Sequence, residues 1–251
     1  MPVIDLNADL GETVDGVPTA DDEAMFAIVT SASVACGGHA GDARSMRESV
    51  TRAARHGVAV GAHPSYPDAA GFGREPMTMT AAALRETLDR QVDALAAAGG
   101  DIRYVKPHGA LYHAVSADAA TARVVAASVR RLADDLGRDL PLLGLGGEGE
   151  RAAEAAGIPF VREAFLDRGY LPDGSLVPRR EHGALLADAD AVASRAVLLA
   201  VEGRVAAVDG TMVAADAASL CVHGDTPAAV AMARAVRAAL DAAGVEVRAP
   251  W

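Results

Sequence analysis

The stretch VIDLN at residues 3–7 decides the fold class. Successive side chains of a strand point to opposite faces, so Ile4 and Leu6 share one face while Asp5 and Asn7 share the other. The central strand of an open, doubly wound sheet would be apolar on both faces. A strand of a closed barrel can instead turn polar side chains into the lumen near its carboxyl end. The stretch therefore favours an α/β fold of the barrel type, for which we expect seven strands.

Outward from this stretch, short apolar runs alternate with Ala-rich helical patterns, which predicts a parallel sheet covered by helices. Strands are predicted at 3–7, 32–36, 57–62, 102–106, 140–144, 159–163 and 218–222. Helices are predicted near 20–30, 42–56, 79–98, 116–136, 148–156, 187–201 and 226–243. Residues 204–214 break the pattern, and Asp209-Gly210 at their centre predicts a small inserted hairpin with a type I′ turn. Since no linker divides the chain, we expect residues 1–251 to form a single domain.

Composition and charge exclude several kinds of partner. The 251 residues carry a net charge of −11, whereas binding to nucleic acid or to an anionic membrane requires a basic surface. Neither partner is therefore expected. No secretory signal precedes the first predicted strand, and two cysteines make no disulfide framework. These features predict a cytoplasmic protein.

Lysine and asparagine each occur once, and both of these residues end a predicted strand. Of the 23 basic residues 22 are arginine, the only lysine is Lys106, and the only asparagine is Asn7. Lys106 and His108 are two residues apart, so they share the face that would line the lumen. A lysine in a pocket is a compact charge that can stabilise an oxyanion, and the alternative is a structural ion pair with Asp5. Asn7 offers a donor and an acceptor that match the edge of a lactam.

Histidines follow the carboxyl ends of four different predicted strands. Reactive groups of α/β folds lie at these ends, so we expect His39, His63, His108 and His223 to meet at one rim. Three of them, together with Asp5, are the candidate ligands for a divalent ion: Asp5, His39, His63 and His223. No compact ligand spacing such as H-E-x-x-H supports this site. No tightly bound cofactor is therefore expected, and the presence of a metal stays open.

Two further motifs suggest other kinds of site. Residues 144–149 satisfy G-x-G-x-x-G after a strand, but Glu148 and Glu150 put negative charge where a pyrophosphate would lie. Cys36, beside glycines near a helix start, is a candidate nucleophile, although a buried core cysteine is the favoured interpretation. Lys106 follows no glycine loop, so the sequence contains no recognisable loop for the phosphates of ATP.

Six segments of the chain resemble the lactam-utilisation (LamB/YcsF) family, whose members are described as A subunits of bacterial 5-oxoprolinase. The segments are DLNADLGE at 5–12, ACGGHAGD at 35–42, GAHPSYPD at 61–68, VKPHGALY at 105–112, EAFLDRGY at 163–170 and CVHGD at 221–225. They are spread over nearly the whole chain and occur in the same order as in the family. The likeness is therefore specific.

The resemblance implies a seven-stranded β/α barrel of the glycoside hydrolase/deacetylase type. It also implies two partner subunits, B and C, with which the chain would convert 5-oxo-L-proline, ATP and water into L-glutamate, ADP and phosphate. ATP, together with magnesium, would then be a co-substrate of the complex. Two alternatives stay open: a metal-dependent amidase or deacetylase that needs no ATP, and a non-catalytic subunit that only holds the ligand.

Ten residues at the predicted rim are candidates for this chemistry. The catalytic candidates are Asp5, Asn7, His39, His63, Lys106 and His108. The substrate-binding candidates are Arg74, Glu163, Arg168 and His223. We expect Lys106 and Asn7 to hold the lactam oxygen or its phosphate. Asp5 and one of His39, His63 or His108 would transfer protons. Arg74 or Arg168 would pair with the substrate carboxylate.

Overall fold

The computed structural model describes residues 1–225 and 228–251, which form a β/α barrel. Its strands in chain order are β1 (Val3–Leu10), β2 (Thr13–Val14), β3 (Val17–Pro18), β4 (Ser31–Ala35), β5 (Ala59–His63), β6 (Ile102–Val105), β7 (Leu142–Gly144), β8 (Phe160–Phe165), β9 (Arg204–Ala206), β10 (Met212–Ala214), β11 (Ser219–Cys221) and β12 (Glu246–Val247). Its helices are α1 (Asp22–Phe26), α2 (Ala43–His56), α3 (Ala81–Ala97), α4 (Gly109–Ala117), α5 (Ala119–Leu136), α6 (Glu148–Ala155), α7 (Ala189–Glu202) and α8 (Ala229–Ala242). Within those ranges, no helix has both the length and the apolar character that crossing a membrane requires.

Seven parallel strands close the barrel. Their order is β1-β4-β5-β6-β7-β8-β11, and β11 pairs back with β1. Residues 5–7 of β1 lie opposite residues 219–221 of β11, and residues 7–10 lie opposite residues 31–34 of β4. The prediction of a seven-stranded barrel is therefore confirmed. The sequence did not predict β12, a two-residue strand that pairs with the start of β1.

Capping residues set the ends of the helices, as α2 illustrates. The Asp42 carboxylate accepts hydrogen bonds from the backbone of Arg44 and Ser45, and the Ser45 hydroxyl accepts one from the backbone of Asp42. This reciprocal box satisfies N–H groups that the first turn leaves unpaired. The helix ends at Gly57, which adopts φ +68°, a conformation that costs glycine little. Helix 42–56 is thus confirmed.

Three details differ from the predictions. The predicted helix 116–136 corresponds to α5, which begins after Asp118, whose carboxylate caps it through the backbone of Thr121, and the helix α4 before Asp118 was not predicted. The predicted start of the last helix at residue 226 lies outside the described residues, and α8 begins at Ala229. The inserted hairpin is formed by β9 and β10, but its turn is not type I′. That turn requires positive φ at both central residues, and only Gly210 has it.

Aromatic side chains fill the amino end of the barrel. The last residue, Trp251, stacks on Tyr104 with 4.3 Å between ring centroids and donates a hydrogen bond to Ser31 Oγ at 3.0 Å. Gly61 provides the space for Tyr104, because a Cβ there would lie 2.2 Å from the ring. With the amino end closed in this way, the opposite rim is left for a site.

Candidate functional site

A cavity of about 670 Å³ opens at the carboxyl rim of the barrel. The side chains of Asp9, His63, Lys106, His108 and His223 that line it are all buried. Its other lining residues include the partly exposed side chains of Arg74 and Arg179. The cavity therefore joins a buried polar interior to a basic mouth.

Lys106, just beyond β6, is surrounded by acceptors. Its Nζ donates hydrogen bonds to Asp9 Oδ1 at 2.9 Å, to Asn7 Oδ1 at 3.1 Å and to Cys221 Sγ at 3.1 Å. Glu163 Oε2 lies 3.2 Å from the same nitrogen. Burial alone would lower the pKa of this lysine, which is 1% exposed, but the charge of Asp9 and its other neighbours raises the pKa well above its ordinary value. Lys106 is therefore a buried cation.

Asp5 lies apart from this group, and the alternative of an ion pair between Lys106 and Asp5 is wrong, because the acids beside Lys106 are Asp9 and Glu163. The Asp5 carboxylate accepts hydrogen bonds from the hydroxyls of Thr30, Ser31 and Ser219, near the amino ends of β4 and β11. Burial raises the pKa of Asp5 to about 6. Because its side chain is enclosed by hydroxyls and does not line the cavity, the structure does not bring Asp5 to the candidate site.

Three buried histidines and Glu12 meet beside Lys106. One nitrogen or oxygen atom from each of Glu12, His39, His63 and His108 can be chosen so that all four lie within 4.8 Å of one another. The rings of His39 and His108 stack with 3.7 Å between centroids, and His39 Nε2 is 3.0 Å from Glu12 Oε1. The absence of compact spacing along the sequence therefore did not prevent a compact cluster in space.

The hydrogen bonds of His63 and His108 leave two lone pairs facing each other. His63 Nδ1 is 2.7 Å from the Lys106 carbonyl and His108 Nε2 is 2.9 Å from the Phe72 carbonyl. Carbonyls only accept, so both of these nitrogens must carry hydrogen. In neutral rings the remaining nitrogens, His63 Nε2 and His108 Nδ1, are then both bare at a separation of 2.9 Å. A cation between the rings would stabilise such a pair, either a metal ion or a shared proton, which Asp9 Oδ2 at 3.3 Å from His63 Nε2 would favour.

The cluster fits a divalent transition metal. Imidazole and carboxylate are suitable ligands, and ligating histidines commonly donate their second N–H to a carbonyl, as His63 and His108 do. Burial, followed by the nearby His39 and His63, holds the pKa of His108 well below its usual range. The candidate ligand set is corrected accordingly. Glu12 and His108 belong to it with His39 and His63, whereas Asp5 and His223 do not.

His223 forms a separate pair with Asp167. Its Nδ1 is 2.9 Å from both carboxylate oxygens of Asp167, and its ring stacks on Phe165 with 5.4 Å between centroids. Burial alone would raise the pKa of Asp167, but the charge and hydrogen bonds of His223 lower it. An imidazole oriented by a carboxylate in this way can take up or release a proton in the cavity that it lines.

The two predicted arginines both line the cavity. Arg168 is 4% exposed and donates to the backbone carbonyls of Ala184 and Val177. Arg74 Nη2 donates to Asp225 Oδ2 at 2.7 Å. Each guanidinium is therefore held in place by the protein itself.

The sequence model of the LamB/YcsF family matches residues 4–250. The chain belongs to the LamB/YcsF family. A relative from Cutibacterium acnes, named as the A subunit of 5-oxoprolinase, is 47% identical over 254 residues, which covers 99% of each chain. A Streptomyces griseus relative of the same name is 52% identical over 252 residues, covering 98% of this chain and 99% of the relative.

Solved structures agree with this family and fold. A lactam utilization protein from Thermus thermophilus is 43% identical, with a TM-score of 0.91 over 98% of this chain and 99% of that one. A polysaccharide deacetylase from Bacillus cereus is 14% identical, with a TM-score of 0.50 over 100% of this chain and 93% of that one. The second likeness concerns the fold alone, and it confirms the deacetylase-type barrel.

Nine of the ten predicted residues of this LamB/YcsF chain meet around the cavity, and Asp5 is the exception. The sequence-based prediction missed Asp9, Glu12 and Asp167. Asp9 had a usable signal, because β1 continues to Leu10 and its alternation places residue 9 on the same face as residues 5 and 7. Glu12 lies beyond the strand, and Asp167 is 56 residues from His223, so neither had a periodic signal.

Proposed function

We propose that this chain is the A subunit of an ATP-dependent 5-oxoprolinase and opens the lactam ring of 5-oxo-L-proline to give L-glutamate. The observation that carries the proposal is the buried Lys106 cation in a polar cavity, in a chain 52% identical to a protein named as the A subunit of 5-oxoprolinase. We also propose that residues 1–251 act as one domain in the cytoplasm, where ATP is available.

Lys106 is suited to hold the lactam oxygen because one of its three hydrogen bonds is weak. Its bonds to Asp9 and Asn7 go to good oxygen acceptors, while the third goes to the Cys221 sulfur, a weak acceptor. A substrate oxygen can take the place of the sulfur without unpairing the lysine from its carboxylates. A charge that develops on that oxygen would then be stabilised by a preorganised cation. In this arrangement Asn7 positions the lysine rather than contacting substrate.

Two buried atoms near Lys106 match the rest of the lactam edge. Among the described residues, neither Tyr112 Oη nor Glu163 Oε1 makes a hydrogen bond of good geometry, although Glu163 lies close enough to raise the pKa of the Tyr112 hydroxyl. Burial holds the pKa of Tyr112 well above its ordinary value, so its hydroxyl remains a donor. The ring N–H of a lactam can donate to Glu163, while its carbonyl oxygen accepts from Tyr112 and Lys106. The substrate carboxylate is assigned to Arg168 or Arg74.

Ring opening requires a proton on the departing nitrogen, and we assign its delivery to His223, whose ring Asp167 orients. A lactam is a stable amide, so its carbonyl needs activation, which phosphorylation of the oxygen by ATP would provide. Since Lys106 belongs to no phosphate loop, we assign that transfer to the partner subunits B and C, with magnesium as the counterion of ATP. This chain would then bind the activated lactam and complete its hydrolysis.

The test is glutamate production by the purified chain with and without subunits B and C. We expect the chain alone to hydrolyse neither ATP nor 5-oxoproline, and the three subunits together to release glutamate and ADP in equal amounts. ATP-dependent glutamate production by the isolated chain would contradict the division of labour. Full activity of the complex after Lys106→Met, with the chain still folded, would instead favour a non-catalytic role for this subunit.

The Glu12–His39–His63–His108 cluster favours a second candidate function, a metal-dependent amidase that needs no ATP. These four residues would hold the ion, which when bound polarises a carbonyl or activates water. Elemental analysis of the purified chain, chelation and metal re-addition distinguish the candidates. One equivalent of zinc together with ATP-independent hydrolysis that chelation abolishes would support the amidase. Metal content without such hydrolysis would leave the 5-oxoprolinase assignment in place.

A further inference from the structure

The cavity is basic although the protein as a whole is acidic. Five lysine or arginine residues line it against two acidic residues, while the chain carries a net charge of −11. The basic residues are Arg74, Lys106, Arg168, Arg179 and Arg180, and the acidic ones are Asp9 and Glu75. Lys106 is balanced by Asp9 and Glu163, and Arg180 pairs with Glu75, so the excess positive charge lies at Arg74, Arg168 and Arg179, two of which contact Asp225. A concave basic surface concentrates anions, so the cavity is built for an anionic ligand.

Three of these arginines converge, and we call Arg74, Arg168 and Arg179 the arginine rim. Arg74 Nη2 and Arg179 Nη1 both lie within 3.6 Å of one Asp225 oxygen, although they come from different loops. Arg168 is anchored through Nε and Nη2, and its Nη1 makes no hydrogen bond to any residue the structure describes. Burial, with the charges of Arg179 and Arg74, lowers the pKa of Arg168. An anion placed among the three would relieve this repulsion.

The arginine rim exceeds what the lactam alone requires. The substrate 5-oxoproline has nine non-hydrogen atoms and one carboxylate, which a single guanidinium binds through two parallel hydrogen bonds. The cavity of about 670 Å³ corresponds to the liquid volume of roughly twenty water molecules. After the lactam and its carboxylate are placed, space and two arginines remain. The guanidinium fork matches phosphate oxygens as well as it matches a carboxylate.

We propose that the arginine rim binds a phosphoryl group through Arg179 and the arginine that the substrate carboxylate leaves free, so that this chain accepts a phosphorylated ligand through side chains instead of a glycine-rich loop. The source of that group rests on the proposed function: it belongs either to the O-phosphorylated lactam or to the terminal phosphate of a nucleotide. Asp225 holds Arg74 and Arg179 in position, and its 3.6 Å contact to Arg179 is long enough to be exchanged for a phosphate oxygen.

The test is binding of inorganic phosphate to the isolated chain by calorimetry, which needs neither the partners nor turnover. We expect saturable binding that weakens as ionic strength rises. Arg179→Gln should weaken it by about tenfold, the loss expected for one charge-assisted contact. Arg151→Gln is the matched control, because Arg151 is exposed, pairs with Glu148 and does not line the cavity. Because Arg179 is partly exposed, its replacement should leave the fold intact. Melting temperatures of both variants equal to that of the wild type would confirm this.

A second series with ATP and ADP separates the two sources. If the chain binds ATP more tightly than phosphate, and Arg179→Gln loses this preference, the rim binds a nucleotide. Phosphate binding that ATP does not improve assigns it to the phosphorylated lactam. No saturable phosphate binding, or equal binding by Arg179→Gln and Arg151→Gln, overturns the proposal. Glutamate production by the complex is measured separately, so normal turnover of the wild-type complex with no saturable phosphate binding to the chain would reject the rim and leave the proposed function standing.

Discussion

The substitution Asp5→Asn tests whether the Asp5 carboxylate, near the amino end of β1, has a structural role and no catalytic one. Asp5 is fully buried, and its only polar contacts in the described chain are the hydroxyls of Thr30, Ser31 and Ser219. Asparagine keeps the shape of the side chain and removes its charge. The substitution therefore isolates the cost of burying that charge without opening a cavity.

The size and sign of this cost follow from the pKa of Asp5, which burial raises from 3.8 to about 6. Between these two values the folded protein holds a proton that the unfolded chain has released, so the free energy of unfolding falls as pH rises through this window. At 1.36 kcal/mol for each pKa unit, the loss is about 3 kcal/mol and is complete above about pH 6. Asparagine does not titrate, so the variant should not suffer this loss.

Urea unfolding of both proteins at pH 4 and pH 8 measures the effect. The asparagine amide would donate to Ser219 Oγ, which already accepts from Asn7, at a cost of about 1 kcal/mol that is the same at both pH values. Relative to the wild type, Asp5→Asn should therefore gain about 3 kcal/mol of unfolding free energy between pH 4 and pH 8. Asp22, whose pKa burial also raises to about 6, is present in both proteins, so its contribution cancels.

Activity of the reconstituted complex provides the functional half of the test. Asp5→Asn should retain glutamate production within a few-fold of the wild type. The matched control, Asp9→Asn, removes the carboxylate that contacts Lys106 and should lower turnover by about 10²-fold. An unfolding free-energy difference that does not change with pH would refute the charge-burial argument. Equal losses of activity in the two variants would refute the structural assignment of Asp5.

Three other substitutions probe the site and the closed amino end. Lys106→Arg keeps the charge, but the broader fork does not fit the buried space, so turnover of the complex should fall by about 10²-fold and unfolding free energy by about 1–3 kcal/mol. Trp251→Ala removes the stacking on Tyr104 and the hydrogen bond to Ser31, so urea unfolding should register a loss of about 3 kcal/mol without loss of turnover. Gly61→Ala puts a methyl group against the Tyr104 ring, and a loss of about 1–3 kcal/mol in the same assay is expected. Normal turnover in Lys106→Arg would contradict the role of Lys106 in the site. Normal stability in Trp251→Ala or Gly61→Ala would contradict the packing described for the amino end.

The fold was predictable because its determinants are local. The alternation of β1 requires only residues 3–7, and it placed Asp5 and Asn7 inside a barrel. The end of α2 at Gly57 and its start at Asp42 also follow from neighbouring residues. The division at Asp118 was missed because Ala-rich helix continues on both sides of it, and only the cap of α5 marks the boundary.

The partners of the site residues were less predictable, because they depend on contacts between distant strands. Because the predicted strand ends at Asn7, it makes Asp5 the candidate ion-pair partner of Lys106, whereas β1 continues to Leu10 and brings Asp9 to 2.9 Å from Lys106. The convergence of His39, His63 and His108 followed from topology alone. Their hydrogen bonds to Glu12 and to backbone carbonyls could not be read from spacing, since ring orientation depends on three-dimensional packing.

The position of the only asparagine now has a physical explanation. Residues 5, 7 and 9 point into the lumen along one strand, at successive heights about 7 Å apart. Asn7 Oδ1 accepts from Lys106, and its Nδ2 donates to Ser219 Oγ at 2.8 Å and lies 3.3 Å from Glu163 Oε2. An aspartate there would add a third carboxylate beside Asp9 and Glu163, with one lysine to balance them and no donor for Ser219 or Glu163. The neutral amide of Asn7 satisfies Lys106, Ser219 and Glu163. It therefore allows the titrating carboxylate of Asp5 and the ionised carboxylate of Asp9 to occupy the same strand.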